Sequence, residues 1–289
     1  MRPFGPAAAL LGALVATLIA ARAVKRKSLT TAGAAAAWIV GFLSICTGLR
    51  GFVLLMFYQL GTIATKYRKE VKESRDASAA KGAVRGPGQV FACSAIAVAC
   101  SVVHALLYGE EKSIDFVENQ GASSLACAVI AHHATCLADT LASELGILAR
   151  QEPVLITQPW RRVPPGTNGG VTWWGTLWSG IGGILMGLGT ALMDAASGIE
   201  IRPAAVLCYG LACGLVGSFI DSVLGATVQV SYYDNDKKLA YCGEDTMLPP
   251  SALRICGANV LSNAQVNLVS VLVTSVLGGL VMGPIFFGM

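Results

Sequence analysis

Apolar stretches of membrane-crossing length recur from one end of the chain to the other, and this limits the fold more than any single motif. A helix needs about 20 apolar residues to cross the hydrocarbon, where only helices and closed barrels satisfy their own backbone. The runs predict about eight spans, near residues 4–24, 30–48, 50–66, 88–108, 121–146, 171–193, 203–227 and 263–287. Composition agrees: of 289 residues, 54% are hydrophobic and 13% charged, against about 25% charged in a typical soluble domain. The expectation is an all-α, polytopic integral membrane helix bundle, a single transmembrane domain over residues 1–289 whose constant partner is the lipid bilayer. A dispersed net charge of +4 gives no footing for a nucleic-acid partner. The nine cysteines show no CxxC pair, and seven of them (Cys46, Cys93, Cys100, Cys127, Cys136, Cys208 and Cys213) lie in apolar runs as small hydrophobes.

Basic loops set the orientation. "ARAVKRKS" carries four positive charges and no negative one, and "KYRKEVKESRDASAAKGAVR" carries seven Lys or Arg against three acids. They follow spans one and three, so they share a side, cytosolic or its equivalent by the positive-inside rule. The acidic loop "YGEEKSIDFVEN" then falls on the other side with both termini. Residues 4–24 read as a retained helix rather than a signal peptide, because their basic residues follow the apolar run. The charged loop 66–86 reads as a solvated connector.

Four polar clusters interrupt the apolar pattern, and this topology brings all of them to the basic-loop side. Asp139 and Glu144 end span five; "RRVPPGTNGGV" leads into span six; Asp221, Ser222 and Gln229 end span seven; Asn259, Asn263 and Asn267 open span eight. Ser28, Thr30, Thr31 and Lys66 reach the same side. Ionisable groups at membrane depth are costly and generally carry function. At ~100° per residue Asp139 and Glu144 sit ~140° apart on their helix, so Asp139 and Asp221 make the better metal pair, with Glu144 near the membrane edge. Mg²⁺ suits so sparse a set, since it binds through one or two carboxylates plus substrate phosphates. Gly166, Thr167, Asn168, Gly169 and Gly170 offer backbone amides at the start of a helix near Val171, an arrangement that receives anions. Arg161 and Arg162 are candidates to add charge, and Asn263 and Asn267 to hydrogen-bond ligand oxygens.

Each piece has a plainer reading. GTNGG can be a tight turn, an intramembrane Asp can pair with Lys66, and the stripes Gly175/Ser179/Gly183/Gly187 and Gly210/Gly214/Ser218/Gly225 read as helix packing. His132, Cys136 and Asp139 share a face but read as structural. "ADTLASELG" and "IDSVLGATV" are alike enough to raise a parallel repeat of spans five–six and seven–eight.

At these residues the chain resembles the transmembrane protein 19 family, also known as domain of unknown function 92. The carrying segments include Leu29-Thr-Thr-Ala-Gly33, Glu70-Val-Lys72, Asp139-Thr-x-Ala-Ser-Glu144, GTNGGV, Asp221-Ser-x-Leu-Gly-Ala-Thr-x-Gln229 and Asn263-Ala-x-Val-Asn267. The resemblance implies, from the plant branch of the family, a phytyl-phosphate kinase activity. More distantly it implies a likeness to CTP-using lipid kinases, from which Val163-Pro164-Pro165 departs. The function expected is an isoprenoid-phosphate kinase using a nucleoside triphosphate, CTP or another, with Mg²⁺. Its site would draw on Asp139, Glu144, Asp221 and Lys66, with Ser222 beside the phosphates, in an endoplasmic reticulum or plastid membrane and facing the cytosol or stroma. An ion-coupled transporter or channel and a non-catalytic lipid-binding scaffold are the alternatives.

Overall fold

The computed structural model describes residues 1–77, 84–242 and 248–288. Its helices are α1 (Pro6–Lys25), α2 (Thr31–Thr47), α3 (Phe52–Lys66), α4 (Lys69–Glu73), α5 (Pro87–Ala92), α6 (Ala95–Tyr108), α7 (Gln120–Gly146), α8 (Trp173–Ala196), α9 (Pro203–Val228) and α10 (Asn263–Leu277). A π-helical turn, Gly278–Met282, joins α10 to α11 (Gly283–Phe287). Five segments have the length and apolarity to cross a membrane: α1, α7, α8, α9 and the run Asn263–Phe287. The other predicted spans are helical but shorter. The one expected at 88–108 is broken at Cys93–Ser94, where Ser94 Oγ donates to the Val90 carbonyl and Cys136 Sγ to that of Cys93. Side chains thus satisfy the carbonyls that the break frees, as a membrane-embedded backbone requires.

The bundle forms around α7, of whose spanning window 78% is buried, against 22–50% for the other four. The glycine stripes explain how its neighbours close on it. A Cβ at Gly183 would land on the Gly210 carbonyl, and one at Gly182 would lie 2.8 Å from Ala138 Cα. Lipid tails give helices no hydrophobic reason to associate, so such backbone approach carries the packing.

Two small sheets modify the all-α expectation. Between α7 and α8 lie β1 (Val154–Leu155), β2 (Gln158–Arg162) and β3 (Gly170–Val171), in the order β2-β1-β3. Between α9 and α10 lie β4 (Ser231–Asp234), β5 (Leu239–Cys242) and β6 (Ala252–Cys256), in the order β5-β4-β6. Both are antiparallel with the first strand central. The β4–β5 turn is set by Asp234, whose Oδ1 accepts from the amides of Asp236 at 2.9 Å and Lys237 at 3.3 Å. The repeat glimpsed in the sequence is therefore a pair of helix–sheet–helix units with one topology. Asp139 stands seven residues before the end of α7 at Gly146, and Asp221 seven before the end of α9 at Val228.

Candidate functional site

A cleft of about 1210 Å³ opens at one end of the bundle, where the α1–α2 turn, the segment from α3 to α5, the ends of α7 and α9, the GTNGG loop and the start of α10 meet. Asp139, Glu144, Asp221, Ser222, Lys66, Asn263, Asn267 and residues 166–170 all line it.

At its base Asp139 and Asp221 come within hydrogen-bonding reach of each other. Their helices present them at equivalent positions of the two repeat units, which is why two residues 82 positions apart meet. Ser270 Oγ donates to Asp221 Oδ2 at 2.9 Å. Asn267, turned so that its nitrogen faces the carboxylates, donates to Asp221 Oδ2 at 3.3 Å and accepts from Gln89 Nε2 at 3.2 Å. The capping box of Ser262 and Gln265 starts α10 so that Asn263 and Asn267 follow on its first turns. Two carboxyl groups, with the Ser270 hydroxyl and the Asn267 amide on Asp221, form a hard oxygen donor set. Among the described residues no group of three or more His, Cys, Asp and Glu gathers to hold a metal. His132 and His133 pack edge to face in the core at 5.3 Å, and neither lines the cleft.

Glu144 is placed differently from the expectation. Its Oε2 accepts from Lys72 Nζ at 2.5 Å, and the same ammonium donates to the carbonyls of Ala64 at 2.9 Å and Thr65 at 2.7 Å. Lys72 is 2% exposed. It closes the last turn of α3 and ties it to α7, so this part of the supposed solvated loop is a wall of the cleft. Lys66, by contrast, is exposed at the mouth.

The GTNGG loop lines the cleft, but most of its amides are already engaged. Thr167 N–H donates to Pro164 O, Gly170 N–H to Thr167 O, and Asn168 N–H to Ser231 Oγ at 3.0 Å. Its glycines answer to steric need: Gly169 has φ +71°, and a Cβ there would strike Ala226 Cβ and the Ser222 carbonyl on α9. The helix after it begins at Trp173 rather than Val171, with Thr172 Oγ1 accepting from Gly175 N–H at 2.9 Å. The loop is held from beyond by one row of the second sheet. Cys242 Sγ donates to Gly166 O at 3.1 Å, Ser231 receives Asn168, and Cys256 Sγ donates to Asn168 O at 3.6 Å. Burial pushes the Cys242 thiol up to about 12, which keeps it a protonated donor at neutral pH. These are the two cysteines that fall outside the apolar runs, the one trace of the clasp in the sequence.

Arg161 and Arg162 are not brought to the cleft. They lie exposed on β2, where Arg161 donates to the Ile255 carbonyl at 2.9 Å and Arg162 lies 4.0 Å from Glu152. The positive charge at the mouth comes instead from Arg26, Lys27, Lys66, Lys69 and Arg85. These belong to the two basic loops from whose charge excess the orientation is expected, and a charge count does not say which members turn inward.

The opposite end has its own charged cluster. Arg50 pairs with Asp194 through Nε at 2.6 Å and Nη2 at 3.0 Å, and its backbone N–H donates to Glu111 at 3.1 Å. Arg50 and Asp194 are 6% and 2% exposed, so this pair is a lock between α8 and the α2–α3 turn.

With this geometry in view, the chain's relatives can be compared. No solved structure matches it. Protein PGR of Arabidopsis thaliana is 34% identical over 286 residues, covering 96% of this chain and 97% of that protein. An uncharacterized membrane protein of Synechocystis is 29% identical over 71% of this chain and 73% of its own length. Protein VTE6, chloroplastic, of Arabidopsis thaliana is 28% identical over 70% of this chain and 56% of that protein. The model of the integral membrane protein DUF92 family matches residues 14–275, and the chain, a multi-pass membrane protein, belongs to that family.

Proposed function

We propose that the protein is a membrane phosphotransferase that moves the terminal phosphate of a nucleoside triphosphate to an isoprenoid monophosphate. The observation that carries this reading is the cleft itself: a carboxylate pair, Asp139 and Asp221, lies beneath a mouth of five cations at one end of the bundle. A polyanionic substrate suits that mouth, and a lipid phosphate lying at the membrane edge reaches the same place. Phosphoryl transfer rests on positioning and charge neutralisation, which such a site supplies without a nucleophilic side chain.

The acidic pair fits Mg²⁺, whose remaining positions water and phosphate oxygens fill. Asp139 and Asp221 would hold the ion, and when bound it would neutralise charge on the transferring phosphate. The residues around it do the rest. Ser270 and Asn267 fix Asp221, while Arg26, Lys27, Lys69 and Arg85 draw the two anionic substrates together. Asn263 and the Asn168 side chain orient phosphate oxygens. An oxygen of the acceptor phosphate attacks the terminal phosphorus as the bond to the nucleoside diphosphate breaks. That oxygen is already anionic at neutral pH, so no general base is needed. Phytyl phosphate is the acceptor that the family resemblance favours, and the word "chloroplastic" in one relative's name favours a plastid membrane. The active face would be stromal or cytosolic, where the basic loops lie.

Ion-coupled transport draws on the same carboxylates, but transporters commonly place them at the midplane between inverted repeats. Here the repeat units are parallel and the acidic pair lies near helix ends, which supports phosphotransfer. The test is purified protein in detergent with Mg²⁺, labelled CTP or ATP, and a panel of prenyl alcohols and prenyl phosphates. Transfer to a prenyl monophosphate is expected. Absence of transfer to every acceptor, together with solute flux in liposomes, would overturn the reading.

A further inference from the structure

A second groove, of about 800 Å³, runs between α3, α7 and α8 on helix faces other than those that line the cleft. On α7 the cleft takes Ser143 and Glu144, whereas the groove takes Leu141 and Leu145, with Leu148 just past the helix end. Between the two, Lys72 bonds Glu144 and the Ala64 and Thr65 carbonyls and closes the α3–α7 seam. A ligand head in this groove is thereby walled off from Asp139 and Asp221.

The groove has the build of a lipid site. Along α8 it extends from Trp173 to Leu185, twelve residues or ~18 Å at ~1.5 Å per residue. That is close to one leaflet of a hydrocarbon layer ~30 Å thick. Trp173, Trp174 and Trp178 pack edge to face into one wall, with centroids 5.4 and 5.9 Å apart, and Trp173 is 63% exposed. Tryptophans at a helix start mark the headgroup level. At that level the groove ends in Arg68 and Arg150. Among the described residues neither guanidinium has an acidic partner, and Arg68 lies over the Tyr67 ring at 5.8 Å. An apolar slot one leaflet deep, topped by two uncompensated positive charges, is complementary to an anionic amphiphile.

We propose that this groove binds one anionic phospholipid of the surrounding bilayer, its phosphate at the Arg68 and Arg150 end and an acyl chain along Trp178 and Leu185. The proposal stands apart from the phosphotransfer reading, because it uses none of the cleft residues. Three of the five tryptophans line the groove, so their fluorescence reports its occupant. The full chain would be placed in phosphatidylcholine vesicles with increasing fractions of either phosphatidylglycerol or phosphatidylcholine brominated on the acyl chain. Brominated phosphatidylglycerol should quench at about tenfold lower mole fraction. The pair Arg68→Gln and Arg150→Gln should abolish that preference, and Arg68→Lys with Arg150→Lys should keep most of it. Equal quenching by both lipids, or a preference unchanged in the glutamine pair, would overturn the proposal. Displacement of the brominated phosphatidylglycerol by farnesyl monophosphate at equal mole fraction would also overturn it, giving the groove to the isoprenoid instead.

Discussion

Under the proposed phosphotransfer, individual side chains divide the cleft into a reacting floor and a structural wall. Asp139→Asn or Asp221→Asn keeps the shape of the floor and removes one charge, so turnover should fall by about a hundredfold or more. Expression and thermal stability in detergent should hold. Near-normal transfer by both variants would remove them from the reaction. Arg161→Gln with Arg162→Gln should leave the rate essentially unchanged, since both stand outside the cleft. Lys72 belongs to the wall. Its loss leaves Glu144 uncompensated and removes a donor from the Thr65 carbonyl, while Ala64 O keeps the Tyr67 amide, and breaking a buried pair costs about 3–5 kcal/mol. Glu144 keeps a quarter of its side chain exposed, which places Lys72→Ala at the low end of that range. A thermal-unfolding cycle with Glu144→Ala should show the double variant less damaged than the two singles added together. At the other end, burial holds the Glu111 carboxyl above its ordinary range, although the Arg50 cation and the Arg50 and Leu49 amides pull it down. A carboxyl raised in the folded state contributes stability at acid pH and loses it as pH climbs through its folded value. Wild type should therefore lose stability relative to Glu111→Gln as pH rises past the usual glutamate range. Parallel curves of melting temperature against pH would refute that.

Elements show where the sequence speaks and where it falls silent. Helix positions are legible because apolar length is a local property, and every predicted span contains helix. The break at Cys93–Ser94 is not, since it depends on Cys136 reaching across from α7. The sheets escape an apolar scan because β1 and β3 have two residues each and exist only through pairing. Of the site, the carboxylates, the asparagines and the GTNGG loop are legible through their polarity in apolar surroundings. The inward cations and the Cys242–Ser231–Cys256 clasp are not, because distant segments decide which members of a charged or thiol-bearing loop turn inward. GTNGG suggests a phosphate cradle from composition alone; its engaged amides recast it as a fitted wedge between α9 and the second sheet. Gly169→Ala sets a side chain at φ +71° against α9, and should lower the melting temperature while impairing nucleotide use. Gly183→Val, remote from the cleft, should destabilise more severely, because α8 and α9 meet there backbone to backbone. Melting curves of the two variants, with transfer rates normalised to folded protein, separate these effects.

Across the whole molecule, the parallel repeat and the topology make one argument. The α1–α2 turn, the ends of α3, α7 and α9 and the starts of α5, α8 and α10 all meet at the cleft, while the Arg50–Asp194–Glu111 lock joins turns at the other end. If the shorter helices α2, α3 and α5–α6 cross the membrane along with the five long ones, that alternation sets both termini opposite the cleft. A chain of this design gathers its polar cleft residues at one end of the bundle, which is where the proposed reaction would join a water-soluble nucleotide to a lipid phosphate. The arrangement makes a prediction about sidedness that owes nothing to catalysis. Epitope tags inserted after Asp236, in the exposed β4–β5 turn, and after Glu118, in the exposed loop before α7, should report opposite sides of sealed, oriented vesicles. The Asp236 tag should share its side with a tag in the basic α1–α2 turn, and the Glu118 tag with one at the C-terminus. If the Asp236 and Glu118 tags meet antibody from the same side, the short helices do not all cross, and the cleft is assembled by a different path of the chain.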